Sequence, residues 1–278
     1  MFVKLILRGL RKLSILHRIN LVLAYPPNKK FKIPIINSTG YDHFFEKEEW
    51  FSTFFVRLLK NFNHENVHFL DIGANIGQTL LKVKSINCKI RYSGFEPNPV
   101  CISYLHKLLH INDLKEVQLF PSALSDHVGM IRLNYKDSFT DTTATILDGF
   151  RRKTTGSIWV PVFMASNLSY LLEQKANIIK IDVEGSELEV IKGMQLILEN
   201  DRPLIICEIL PVYSKENTFR YSRQCELEKI LSELHYGKAN IDTTGSLRPI
   251  EGIGIHSDIE RVNYLFFPEE LREKILKC

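Results

Sequence analysis

The short apolar run from Val67 to Ile72 stops at Gly73 and Gly77, and that junction constrains the fold more than any other stretch of the 278 residues. Its length and content suit a buried parallel strand, and the small residues after it open a place where a helix can begin. Gly73 and Gly77 accept backbone angles and close approaches that a Cβ blocks, so a ligand can lie against this turn. A second apolar run, Ile90 to Phe95, ends at Glu96. In a parallel sheet Glu96 falls at the same carboxyl edge as the first loop. A carboxylate offers only acceptors and a ribose diol offers two donors, so a nucleotide ligand is the reading.

The loop itself narrows the choice. Its order is Asp71-x-Gly73-x-Asn75-x-Gly77, not the Gly-x-Gly-x-x-Gly of dinucleotide folds, and no Lys-Ser/Thr follows as a P-loop requires. An acidic Asp71 at the loop mouth repels pyrophosphate and suits a ligand bearing an ammonium and a sulfonium. S-adenosylmethionine answers that description. A plain strand-to-helix turn is the alternative.

Four blocks, Asp71-Ile-Gly-Ala-Asn-Ile-Gly77, Phe95-Glu-Pro-Asn98, Ala123-Leu-Ser-Asp126 and Lys180-Ile-Asp-Val-Glu-Gly-Ser186, occur in the order found in a known family. In them the chain resembles the FkbM-type S-adenosylmethionine-dependent methyltransferases. The likeness spans residues 65–210, with an echo in Asn263-Tyr-Leu-Phe-Phe267 and nothing in the first 40 residues. It implies a Rossmann-like class I methyltransferase sheet of seven strands, the last antiparallel. It also implies that Asp71, Gly73, Asn75 and Gly77 hold the methionine portion of the cofactor, Glu96 the ribose, and Ala123, Leu124 and Asp126 the adenine. An ordinary loop capped by Asp126 is the competing reading of the third block.

Strands alternating with helices over residues 67–210 independently argue for a doubly wound α/β sheet with its ligand at the strand carboxyl ends. The strand Asn177 to Val183 ends in Asp182 and Glu184, where carboxylates can orient a hydroxyl, take its proton or hold a divalent ion. Glu208 interrupts the apolar run Leu204 to Leu210 and joins them as a candidate, with pairing to a Lys or Arg as the alternative. Glu187 and Glu189 need no catalytic role, because acids in the first turn of a helix are stabilised by its dipole. Nothing in the sequence demands a metal. His256 has a usable pKa but, as one of nine histidines, reads first as a surface residue.

Charge divides the chain. Residues 1–32 hold eight Lys or Arg and no acid, leaving 28 basic and 32 acidic residues beyond them. A basic nucleic-acid-binding face is therefore not expected on the main domain. Residues 1–23 read as an amphipathic helix, with Phe2, Ile6, Leu10, Leu13 and Leu16 on one stripe. It serves either as a contact for an anionic membrane or as a cover for the body of the protein. Residues 1–60 are thus expected to form an extension with a lead-in helix over 44–62, and 61–270 the methyltransferase domain. Five cysteines without CxxC spacing suggest free thiols in the cytoplasm, on or off the membrane's inner face.

The polar, Thr-rich stretch 136–156 is a lid or a solvated loop, in which Asp141 and Arg151 to Lys153 are placed to meet an acceptor. The reaction implied is transfer of a methyl to a hydroxyl of a sugar, a glycan or glycolipid precursor, or a small natural product. Methylation of nucleic-acid or protein nitrogen is the rival, but Asp182-Val-Glu-Gly185 stands where base methylases carry Asn/Asp-Pro-Pro-Tyr. A non-catalytic adenosyl-binding scaffold is the third reading.

Overall fold

A computed structural model describes residues 2–25, 30–45, 49–60, 67–136, 143–147, 154–170 and 174–277. The chain begins with α1 (Phe2–Lys12), an antiparallel pair β1 (Leu21–Ala24) and β2 (Lys32–Ile35), and α2 (Glu49–Leu59). The first half of the domain runs β3 (His68–Ile72), α3 (Gln78–Ile86), β4 (Arg91–Phe95), α4 (Pro99–Asn112) and β5 (Val117–Phe120). Then come β6 (Ala123–Ser125), β7 (Gly129–Tyr135) and β8 (Gly156–Met164). The second half runs β9 (Ile178–Ile181), α5 (Glu187–Gly193), α6 (Gln195–Asp201), β10 (Leu204–Glu208) and α7 (Thr218–Glu233). It closes with β11 (Tyr236–Ile241), β12 (Leu247–Pro249), β13 (Asn263–Pro268) and α8 (Arg272–Leu276).

Eight described strands form the main sheet in the order β12-β11-β13-β10-β9-β3-β4-β5. Strands β5, β4, β3, β9 and β10 are parallel, and β13 runs antiparallel to both β10 and β11. This is the doubly wound α/β arrangement expected, with the last strand reversed. It carries one strand more than seven, because the three-residue β12 pairs along the outer side of β11. Chain order reverses between β3 and β9, which makes their carboxyl ends the switch point where open α/β sheets bind ligands.

The central strands read as continuous apolar runs because both of their faces are covered. Phe69, Ile178, Ile206 and Leu265 belong to one core, shared with α2, α3 and α4. Leu70, Ile179, Ile205 and Phe266 belong to the other, shared with α5, α6 and α7. Each strand thus supplies both cores by simple alternation.

Several expectations are corrected in detail. The segment Ala123–Ser125 is a strand, paired with β8 in a second sheet of order β6-β8-β7, which overturns the competing reading of an ordinary loop. The helix that Glu187 and Glu189 open is broken at Met194 into α5 and α6. The lead-in helix covers Glu49–Leu59, shorter than the expected 44–62. The N-terminal helix stops at Lys12, and Leu21 to Ala24 pair with β2 instead of continuing it. Leu7, Leu16, Ile33 and Phe44 lie in the same core as Phe69 and Leu105, so the extension and the domain share one apolar interior.

Candidate functional site

At the carboxyl ends of β3, β4, β9 and β10 lies a cavity whose empty volume, open mouth included, is about 980 Å³. The loop after β3 is its floor. Gly73 and Ala74 donate their backbone N–H groups to the Phe95 carbonyl at 2.9 and 3.0 Å, which bends the chain away from the strand. That bend needs left-handed angles, supplied by Gly73 (φ 91°), Asn75 (φ 50°) and Gly77 (φ 89°). Asparagine is among the few side chains that adopt such angles readily, which accounts for its place between the glycines.

Glu96 ties the two loops together. Its Oε2 accepts from the Asn75 N–H and its Oε1 from the Asn98 N–H, each at 2.8 Å. Asn98 in turn caps α4 by accepting from the Val100 N–H. Glu96 is buried, and burial pushes its carboxyl up to about 7 against the two N–H donors, with Asp71 and Asp182 adding to the rise. A carboxylate held by backbone at the cavity wall is a fixed acceptor for a ligand diol.

The structure brings most of the expected residues to one cavity. Gly73, Asn75, Glu96, Ala123, Leu124, Asp182, Glu184 and Glu208 all line it. Asp71, Gly77 and Asp126 do not. Asp71 is wholly buried within β3, and its Oδ2 accepts from the hydroxyl of Tyr92 on the neighbouring strand. Its carboxylate therefore lies beneath the loop and not at its mouth: Ile72, the next residue on the strand, lines the cavity instead. Burial, with Asp71 beside it, raises the Tyr92 hydroxyl well above its usual range, so that hydroxyl remains a donor. Gly77 begins α3 with its carbonyl accepting from Leu81. Asp126 turns away to accept from the Nδ1–H of His127 at 3.0 Å and from the Ser125 hydroxyl at 3.2 Å.

Three carboxylates mark the far end. Asp182 follows β9 and Glu208 ends β10, and the register Ile181 to Cys207 makes them neighbours across the sheet. Lys180 places its Nζ 2.7 Å from the Asp182 Oδ2, with the lysine side chain only 10% exposed. Lys180 belongs to the fourth sequence block, but its alternation with Asp182 on one strand gave no separate signal. Glu184 sits at φ 53°, a left-handed angle costly for a glutamate, and its carbonyl accepts from the Thr145 hydroxyl at 2.8 Å. Thr145 also exchanges two backbone hydrogen bonds with Asn134. Leu133, Ala144 and Ile146, which the sequence did not single out, are thereby set as an apolar roof. Asp141 and Arg151 to Lys153 lie outside the described residues. Among the described residues no group of three or more His, Cys, Asp or Glu is arranged to hold a metal ion.

His256, and the two acids Glu189 and Glu187 assigned a structural role, fall outside the cavity. The His256 Nε2 is 3.0 Å from the Tyr264 hydroxyl, which itself donates to the Arg261 carbonyl. Glu189 is paired with Arg223. Glu187 accepts from the Gly185 N–H at 2.8 Å, and burial raises its carboxyl to about 7. Because that value exceeds the 4.5 of a free glutamate, the folded chain holds a proton that the unfolded chain releases. The associated stability is present below 4.5 and lost as pH rises to about 7. Urea unfolding at about pH 5 and about pH 8 is expected to show wild type losing stability relative to Glu187→Gln over that interval. A relative gain would contradict the burial argument.

The sequence matches the family described as the methyltransferase FkbM domain over residues 71–238. The chain belongs to that family. Among curated relatives of this FkbM chain is the methyltransferase sdnD of Sordaria araneosa, 29% identical over 157 residues covering 46% of this chain and 61% of that protein. The hexuronic acid methyltransferase AglP of Haloferax volcanii is 29% identical over 154 residues, covering 54% of this chain and 59% of that protein. The chain thus spans about three fifths of the length of these relatives. Among solved structures, the methyltransferase FkbM of Methylobacillus flagellatus KT aligns over 94% of this chain and 59% of that one, at 16% identity and a TM-score of 0.48.

Proposed function

We propose that this FkbM methyltransferase uses S-adenosylmethionine to methylate a hydroxyl of a sugar, a glycan or glycolipid precursor, or a small natural product. The observation that carries the reading is the acid-lined cavity at the sheet's switch point, with Glu96 fixed between the glycine loop and the end of β4. Its carboxylates favour a cationic ligand, and the loop offers backbone without the P-loop lysine that phosphates need. The residues present therefore fit an adenosyl sulfonium: Gly73 and Asn75 beside the amino-acid portion, Glu96 at the ribose, Ala123 and Leu124 at the adenine.

When bound, that cofactor supplies a methyl group already activated on sulfur. The chain's own residues have the remaining tasks. The roof of Leu133, Ala144 and Ile146 excludes water, and the loop after β9 positions the acceptor oxygen. Asp182, Glu184 or Glu208 takes the hydroxyl proton at a carboxylate oxygen. The AglP relative, a hexuronic acid methyltransferase, supports a sugar as the acceptor class.

The test is release of S-adenosylhomocysteine and mass gain of an acceptor, guided by glycan profiles of cells with and without the chain. Asp182→Asn should lower kcat by about 10²-fold or more, the loss of a proton-transfer group, while cofactor affinity changes little. A scaffold without catalysis would show no turnover to lose. Unchanged kcat in an active enzyme would remove Asp182 from the mechanism.

A further inference from the structure

The N-terminal helix docks on the protein by the wrong part of its surface. An amphipathic helix that covers a body turns its apolar stripe inward, but among the described side chains of α1 only Leu7 is buried and Leu10 is partly so. Val3, Leu5 and Ile6 are 41%, 68% and 44% exposed, and Leu13 and Ile15 just beyond are 69% and 39% exposed. The helix is held instead along the seam between its two arcs. The Lys4 Nζ and Arg8 Cζ lie 5.9 and 5.1 Å from the centroid of the Phe45 ring, and Arg11 lies 4.6 Å from that of Tyr41. Cations packed on aromatic faces thus dock α1 and turn most of its apolar arc to the outside.

Two properties identify what covers that face. The exposed apolar residues are interspersed with Lys12 and Arg18, and residues 3–18 hold five Lys or Arg and no acid. A second copy of the chain would bring like charges together, whereas a surface of anionic lipid headgroups neutralises them and accepts the leucines into the acyl boundary. No helix among the described residues is long and apolar enough to cross a membrane, so contact of this kind is interfacial. We infer that residues 3–18 form a docking surface for an anionic bilayer, with Leu5, Ile6 and Leu13 inserted at the headgroup level and Lys12 and Arg18 on the lipid phosphates. This surface is independent of the cofactor assignment, since none of its residues lines the cavity.

The test is sedimentation of the intact chain with vesicles of phosphatidylglycerol and phosphatidylcholine in equal parts, and with phosphatidylcholine alone. The chain should pellet with the anionic vesicles, be released by salt, and stay in solution with the zwitterionic ones. Leu5→Asp with Leu13→Asp, and separately Lys12→Glu with Arg18→Glu, should each weaken binding by about tenfold or more. Thermal unfolding should be unchanged, because these side chains are exposed; Leu13→Gln alone provides a milder probe expected to act in the same direction. Failure to pellet with anionic vesicles, equal pelleting with both kinds, or full binding by the leucine variants overturns the inference. So does a dimer in lipid-free solution that the leucine variants disperse, which would assign the face to self-association.

Discussion

Replacing Gly73 by alanine is expected to lower the free energy of unfolding by about 2–5 kcal/mol and to abolish measurable cofactor binding. At φ 91° an added Cβ would stand 1.9 Å from the Asp182 carbonyl oxygen and 2.9 Å from its carbonyl carbon. Both obstacles are backbone, so no side chain can swing away to make room. The Asp182 N–H donates to the Ile72 carbonyl at 3.0 Å, and the Gly73 N–H to Phe95 at 2.9 Å. The loops after β3, β4 and β9 are therefore coupled, and a shift in one displaces the walls of the cavity. Gly9→Ala supplies a control, because nothing lies within 4 Å of its added Cβ in the helix α1. It should be neutral or slightly stabilising. Urea unfolding and calorimetry on both variants check the pair, and a Gly73→Ala chain with wild-type stability and binding would show that the loops are not in this contact.

Glu96→Ala should weaken cofactor binding by about a hundredfold or more, since two charge-assisted bonds to a diol are worth about 3–6 kcal/mol together. Its effect on folding should be far smaller. The substitution leaves the Asn75 and Asn98 N–H groups without their carboxylate, but it also removes a buried acid whose ionisation is disfavoured. Opposing contributions of similar kind leave stability little changed while affinity collapses. The same residue sets a pH dependence. With its carboxyl raised to about 7 by burial, Glu96 is neutral below that pH and presents fewer lone pairs to donors. Affinity should therefore rise with pH up to about 7 and then level, whereas Glu96→Gln should bind more weakly with no such slope. An alanine variant that binds as wild type would remove Glu96 from the ribose site.

What the sequence disclosed and what it hid follow from the range of the interactions involved. Strands β3, β4, β9 and β10 are legible because burial on both faces makes each an unbroken apolar run, and Glu96 and Asp182 are legible because they end such runs. The left-handed loop is legible through Gly73, Asn75 and Gly77. Asp71 was misplaced because the Tyr92 hydroxyl that engages its carboxylate comes from the neighbouring strand, 21 residues away in sequence. The three residues of β6 are too few to carry a period, and β8, almost 40 positions later, supplies their hydrogen bonds. The roof formed by Leu133 and Ile146 depends on a different pairing, the bridge between Asn134 and Thr145. For α1 the periodicity showed the apolar arc but not which sector docks, a choice made by the Tyr41 and Phe45 rings.

The most direct test of the central claim is isothermal titration of the wild-type chain with S-adenosylmethionine and, separately, with NAD. Saturable binding of S-adenosylmethionine with none of NAD is the predicted result. Binding of NAD without S-adenosylmethionine would contradict the assignment of this acid-lined cavity to a cationic adenosyl ligand.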